Sequence, residues 1–166
     1  MKYICKACGK THDDIPDIGS DRPVQYWEIP EMERETRVKL TSDTCTIDHD
    51  HYFIRGVIEL PIIEMNDVFG WGVWISLKKE NFVNYLLTFG NDDWDDMGPF
   101  FGWLCTKIDY YTNDTMFLKT MAHIRRNGLR PSIKVEPSEH PLSIHQKHGI
   151  PINEVYDIIH IYGVNK

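Results

Sequence analysis

The sequence predicts an α+β fold: a mainly antiparallel sheet of about five strands, flanking helices and an N-terminal zinc-knuckle-like segment. Segments rich in β-branched and aromatic residues cluster in the middle of the chain. Helix-like segments flank them and close the chain, and no regular strand–helix alternation indicates βαβ units. A Cys-x-x-Cys pair, Cys5 and Cys8, stands near the start and is typical of half a zinc site.

Five segments predict strands, because each combines β-branched or aromatic residues with turn signals at its ends. They cover residues 52–60, 69–77, 100–105, 115–124 and 132–135. The first two are expected to pair as a hairpin through Asn66 and Asp67. The last two are joined by Asn127-Gly128, a dipeptide that favours tight turns.

Proline and apolar spacing predict the helices. Pro30 suits the first position of a charged helix over 31–38, and apolar residues at helical spacing predict a second helix over 79–88. A short helix is predicted over 142–147, and the final helix is predicted to begin near Pro151. We expect residues 1–50 to form the knuckle and a loop that pack on an α+β domain over 51–166, so that the whole chain is one structural unit.

Composition narrows the classes of function. The chain has 166 residues and a formal net charge of −7, and its small basic stretches do not form a surface suited to a nucleic-acid backbone. No apolar run is long enough to span a bilayer, and too few residues precede Cys5 for a secretory signal. The sequence therefore predicts a cytoplasmic protein that binds neither nucleic acid nor membrane, with cysteines that are thiols or metal ligands.

The metal prediction rests on ligand type and spacing. Zinc takes four thiolate or imidazole ligands in a tetrahedron. Cys5 and Cys8 supply two, and the preferred completion is His12 with Cys45, which gives a structural zinc. His49 and His51 compete for a place in this set. Cys105 is a weaker candidate, because its apolar neighbours indicate burial.

A series of short motifs resembles a known bacterial family. The motifs are Cys5-x-x-Cys8-Gly9-x-x-His12, Ser42-Asp43-x-Cys45-x-Ile47-Asp48, Phe53-Ile54-Arg55-Gly56, Trp71-Gly72-Val73-Trp74-Ile75-Ser76-Leu77, Phe101-Gly102-Trp103-Leu104, Arg130-Pro131 and Glu139-His140-Pro141-Leu142. In combination they resemble the family called domain of unknown function 2199. The resemblance implies a single-domain cytoplasmic bacterial protein without an established activity. It also implies that Cys5, Cys8, His12 and Cys45 lie together as candidate ligands.

Two hypotheses of function follow. The first is a zinc-stapled binding or protein-interaction module, whose acidic charge and aromatic strand from Trp71 to Trp74 suit a protein partner or a small-ligand groove. Charge alone also suits a protein that neutralises a toxin. The alternative is a small-molecule hydrolase, with a cleft built from Arg55, Trp74, Trp103 and His140. Arg55 would hold an anionic group, and His140 would act as general base.

His145 and His148 are interpreted as ordinary surface histidines. His145 and His148 are three residues apart and share a helical face. No His-Glu-x-x-His pattern accompanies them, so the sequence favours a solvated helix over a catalytic metal site.

Overall fold

The structure is a computed structural model that describes residues 3–4, 9–12, 15–89, 91 and 97–162. Its helices are α1 (Val24–Glu28), α2 (Glu31–Arg37), α3 (Lys79–Leu87), α4 (Pro141–His148) and α5 (Ile152–Ile161). Among the described residues, no helix is long and apolar enough to cross a membrane. Proline precedes α1, α2 and α5 and is the first residue of α4, where its fixed backbone angle and missing N–H cost nothing.

The strands form one large sheet and one small one. They are β1 (Tyr3–Ile4), β2 (Thr11–His12), β3 (Ile18–Gly19), β4 (Val38–Leu40), β5 (Thr44–Ile47), β6 (His51–Pro61), β7 (Val68–Leu77), β8 (Phe100–Leu104), β9 (Lys119–His123) and β10 (Ser132–Val135). In the large sheet the order is β3-β7-β8-β9-β10-β6-β5-β4, and β6 also pairs with β7. This extra pairing closes β6 to β10 into a five-stranded barrel.

Two long strands form the frame of the barrel. β6 and β7 pair along their whole length, from Tyr52 opposite Leu77 to Pro61 opposite Val68. Most of β7 is buried, because the barrel interior lies on one side and helices or loops on the other, whereas β6 alternates buried and half-buried residues from Ile54 to Leu60. The hairpin predicted between these two segments is confirmed.

The seam of the barrel lies between β6 and β10. These strands run parallel and share one residue pair, Ser132 opposite Val57. Beyond that pair, Gln146 of α4 takes the place of a neighbouring strand. Its amide accepts a hydrogen bond from the Val135 N–H at 2.8 Å and donates one to the Ile133 carbonyl at 2.8 Å. The helix thereby provides hydrogen-bond partners for the Val135 N–H and the Ile133 carbonyl, which the short β6–β10 pairing does not satisfy.

Three further strands extend the barrel wall. β5 pairs with β6 and β4 pairs with β5, both antiparallel, while β3 lies parallel to β7. The glycines of that last contact are required by space, because a Cβ on Gly19 would lie 2.9 Å from the Cα of Gly72. Near the N-terminus, β1 and β2 pair as a separate antiparallel sheet.

Two apolar clusters make up the core. The larger fills the barrel and continues beneath α4 and α5, with Leu142, Val155 and Ile158 fully buried. The smaller lies between β5, β6, β7 and the segment after α1. It consists of Ile29, Cys45, Ile47, Phe53, Trp74 and Cys105.

The predicted fold is wrong in several respects. The sheet is mixed, because β3–β7 and β6–β10 are parallel, and it closes into a barrel with three additional strands. The predicted strand over 115–124 is confined to Lys119–His123. The zinc-knuckle-like segment is not supported: Cys5 and Cys8 lie outside the described residues, and the part of the chain that is described contains no metal-binding group of three or more His, Cys, Asp or Glu.

Candidate functional site

Strand β8 presents aromatic side chains on both of its faces. Phe100, Gly102 and Leu104 point into the core, while Phe101 and Trp103 point outward and are 40% and 41% exposed. Outward positions of such a strand are ordinarily polar, since water covers that face. The two outward rings stand edge to face, with centroids 5.2 Å apart and planes at 85°, and so form an apolar corner on the barrel surface.

This corner borders a groove of about 590 Å³, which we call the β8 groove. The buried side chains of Phe53 and Leu77 form its apolar floor. Polar and charged residues of both signs complete the lining: Asp50, His51, Ser76, Lys78 and Asn81.

A third exposed aromatic side chain belongs to the same region. The backbone N–H of Phe117 donates to the carbonyl of Leu104 at 2.7 Å, which places Phe117 beside the end of β8. Its side chain is exposed, and its backbone φ of 61° is uncommon for a bulky residue. An apolar surface with a polar rim is the usual anatomy of a recognition site.

The family model described as an uncharacterized protein conserved in bacteria, DUF2199, matches residues 4–150. The chain belongs to this family. The match confirms the predicted resemblance. Neither a curated protein nor a solved structure matches the chain. The description of this DUF2199 family names no activity.

The residues of the predicted cleft lie in different surroundings. Arg55 faces Trp74 as a backbone partner across β6 and β7, but its guanidinium donates to Asp21 at 3.2 Å. Trp74 is fully buried, and its Nε1–H donates to the Ser20 carbonyl at 2.9 Å. Trp103 lines the β8 groove. Arg55, Trp74 and His140 do not line this groove, so it does not bring the four predicted cleft residues together.

His140 acts as the N-cap of α4. Its Nδ1 accepts a hydrogen bond from the Leu142 N–H at 3.1 Å, so Nε2 carries the proton. Nε2 lies 3.1 Å from the Asp114 carbonyl, which accepts that proton's hydrogen bond. Both ring nitrogens therefore have structural partners. This arrangement stabilises the start of the helix and does not leave a nitrogen poised to remove a proton from a ligand.

The prediction of an exposed aromatic surface on β7 is wrong. Trp71 and Trp74 are both buried, and Trp71 packs edge to face on Phe69 and on Tyr162 after α5. The exposed aromatic pair lies on the next strand of the barrel. The alternation in Phe101-Gly102-Trp103 carried the signal for it, because residues two apart share one face of a strand.

The predicted zinc ligands are placed only in part. Cys5 and Cys8 fall outside the described residues, and the backbone of His12 pairs with Tyr3 in the small sheet. Cys45 is fully buried in the smaller apolar cluster, and burial raises the pKa of its thiol to about 11. A thiolate is the form that binds zinc, so these surroundings do not favour Cys45 as a ligand. The zinc stays a prediction.

His145 is held in a network that the sequence did not indicate. Its Nδ1 lies 3.0 Å from the Tyr111 hydroxyl and its Nε2 lies 3.6 Å from a carboxylate oxygen of Glu154. The same oxygen of Glu154 accepts a hydrogen bond from the Tyr110 hydroxyl at 2.7 Å. The network joins α4, α5 and the segment after β8. Its members are far apart in the chain, so no local pattern signals it.

This network makes stability depend on pH. Burial lowers the pKa of His145 below its ordinary value of 6.5, against the opposing effect of Glu154. As the pH falls below about 6.5, the unfolded chain takes up a proton that the folded chain resists, so the free energy of unfolding decreases. This loss ends once the folded His145 is itself protonated.

We expect His145→Gln to show a smaller loss of stability than the wild-type protein between about pH 7.5 and pH 5.5. Urea unfolding at the two pH values measures the difference. His123→Gln is the control, because His123 is an exposed histidine on β9. An equal pH dependence in His145→Gln and wild type would show that His145 does not contribute.

Proposed function

We propose that this protein is a binding module that receives an apolar side chain of a basic partner protein in the β8 groove. The observation that supports it is the exposed pair Phe101 and Trp103 on the outward face of a barrel strand. Tryptophan contributes more binding energy at interfaces than most residues, because it buries a large rigid surface. The apolar floor of the groove suits an aliphatic or aromatic anchor.

The overall charge supports a basic partner. The chain carries a formal net charge of −7, and an acidic protein attracts basic partners over distances of about a Debye length. The groove itself carries Asp50 and Lys78 at its rim, so the long-range attraction comes from the whole molecule. We expect the association rate to fall as the salt concentration rises, while the dissociation rate depends on contacts in the groove.

Selection of peptides from a random phage-displayed library tests the proposal. We expect peptides recovered on wild-type protein, and depleted against Trp103→Ala, to combine basic residues with one aromatic or aliphatic anchor. Calorimetry of a recovered peptide should show binding weakened about thirtyfold or more by Trp103→Ala, as at an interface hot spot.

Trp27→Ala is the matched control, because Trp27 is 59% exposed on α1 and does not line the groove. It should leave the affinity of the peptide unchanged. Recovered peptides that bind Trp103→Ala as tightly as wild type would contradict the proposed site. Peptides without a basic bias would contradict the partner's charge.

A further inference from the structure

A smaller cavity adjoins the β8 groove. It encloses about 230 Å³ and is lined by the ends of α1 and α2 and by the turn between β5 and β6. We call it the acidic pocket. His51 lines both cavities, so they are neighbours on one surface. Pockets for small organic molecules usually enclose about 300–1,000 Å³, so this volume suits a single side chain better than a whole ligand.

The turn between β5 and β6 places one carboxylate in each cavity. Asp48 lines the acidic pocket and Asp50 lines the β8 groove. The Asp50 N–H closes the turn by donating to the Ile47 carbonyl at 3.1 Å. Asp48 and His49 both have a backbone φ of 53°, which is typical of tight hairpin turns. A segment of a partner that crosses this turn therefore meets a carboxylate on each side of it.

The acidic pocket has more carboxylates than cations. Arg37 donates from Nε and Nη2 to Asp48, both at 2.7 Å, and from Nη1 to Glu33. Its hydrogen bonds lower the pKa of Asp48, so that carboxyl is ionised. Glu28 lines the pocket and forms no ion pair with any residue that the structure describes. Three carboxylates and one guanidinium leave an excess of negative charge.

Glu28 does not stabilise the helix that carries it. It is exposed and is the last residue of α1, where the helix dipole disfavours a negative charge. The buried side chains of Ile29 and Ile47 form the apolar part of the pocket wall. Carboxylates beside apolar side chains suit a basic side chain, because its aliphatic stem packs on apolar surface while its charged end stays at the rim.

We infer that the acidic pocket receives an arginine side chain of the same partner whose apolar anchor occupies the β8 groove. The inference rests on the proposed function and adds a specific contact to the attraction by overall charge. Arginine suits the pocket better than lysine, because a guanidinium forms paired hydrogen bonds with a carboxylate. The two cavities meet at His51, so the arginine and the anchor are close together in the partner.

NMR titration of the full chain, labelled at isoleucine and leucine methyl groups, tests the inference without a known partner. Nα-acetyl-arginine amide represents the basic side chain, and Nα-acetyl-tryptophan amide represents the anchor. At about pH 8, where an ordinary imidazole is neutral, we expect the arginine probe to shift the methyl signals of Ile29 and Ile47. The tryptophan probe should shift those of Leu77, which lies on the floor of the β8 groove.

Two comparisons isolate the charge. Glu28→Gln should weaken the arginine probe about two- to fivefold, the range of an exposed ion pair. Glu139→Gln removes the same charge from an exposed residue that lines neither cavity, and it should leave the affinity unchanged. Nα-acetyl-citrulline amide has nearly the same shape as the arginine probe but no charge, so it should bind wild-type protein more weakly by a similar factor. This second comparison needs no variant.

The outcomes separate this inference from the proposed function. An arginine probe that binds no more tightly than the citrulline probe overturns the inference, and so does an affinity that Glu28→Gln reduces no more than Glu139→Gln does. If the tryptophan probe still binds at Leu77 in that case, the proposed function stands without the acidic pocket. If the arginine probe binds as expected and the tryptophan probe does not, the apolar anchor of the proposed function is contradicted.

Discussion

Replacement of Trp74 by alanine is expected to lower the free energy of unfolding by about 3–5 kcal/mol, the usual cost of removing a large buried aromatic side chain. Trp74 is fully buried among Cys45, Phe53 and Cys105. Alanine would leave a cavity in this cluster. It would also remove the hydrogen bond that the Trp74 Nε1–H donates to the half-buried Ser20 carbonyl at 2.9 Å, and this loss adds to the cost.

Urea unfolding followed by far-UV circular dichroism measures the effect. Trp74→Phe should lie between wild type and Trp74→Ala, because it keeps most of the volume and loses the N–H donor. Trp27→Ala is the control: its ring is exposed and stacks with Arg22 and Arg34, contacts worth about 0.5–1 kcal/mol at exposed sites. If the Trp74→Ala protein were as stable as the Trp27→Ala protein, the result would contradict the burial of Trp74 in the smaller apolar cluster.

Gly56→Ala is expected to destabilise the protein by about 1–3 kcal/mol, the usual cost of overpacking a core. A Cβ on Gly56 would lie 2.6 Å from the Ile133 side chain and 2.8 Å from the Pro131 carbonyl. That carbonyl accepts a hydrogen bond from the Val57 N–H at 3.0 Å. The added methyl group would therefore push β10 away from β6 at the seam of the barrel.

The sign of this effect is diagnostic. Where the native backbone and space allow it, replacing glycine by alanine stabilises a protein by about 0.4–1 kcal/mol, since the unfolded chain loses freedom. A stabilised Gly56→Ala protein would therefore contradict the close approach of β10. Combining it with Ile133→Val should recover part of the loss, because Ile133 can give way while the Pro131 backbone cannot. Thermal and urea unfolding of the single and double variants measure the stability lost in Gly56→Ala and the part recovered by Ile133→Val.

The sequence predicts the pairing of strands that are neighbours in the chain better than it predicts the closure of the sheet into a barrel. The β6–β7 hairpin follows from two β-rich segments separated by a short turn, and α3 and α5 follow from apolar residues at helical spacing. The seam depends on residues that are distant in the chain: Gly56 meets Pro131, and Gln146 replaces a strand. Neither contact has a local signature. The motif residues Gly56 and Pro131 are thus explained by packing at the seam.

The candidate sites show the same difference between features that a local pattern signals and features that depend on residues far apart in the chain. Trp103 was predicted to be a binding residue, and it lines the β8 groove. The pattern of β7 also suggests an exposed aromatic face. Trp71 is instead buried against the rings of Phe69, Tyr111 and Tyr162, and Trp74 is buried in the smaller apolar cluster. The contact between Asp43 and Arg130 has no local signal either, because the two residues are 87 positions apart in the chain and only the fold brings them together.

The glutamine amide at the seam links two events in folding. β10 and α4 are neighbours in sequence, and Gln146 of α4 completes the hydrogen bonding of Ile133 and Val135 in β10. The barrel thus reaches its full set of backbone hydrogen bonds only when α4 is docked, and α4 finds these partners only when β10 is in place. Long-range pairing forms late because loop closure opposes it. We therefore expect ring closure and the docking of α4 to be coupled in folding, and to follow formation of the more local β6–β7 hairpin.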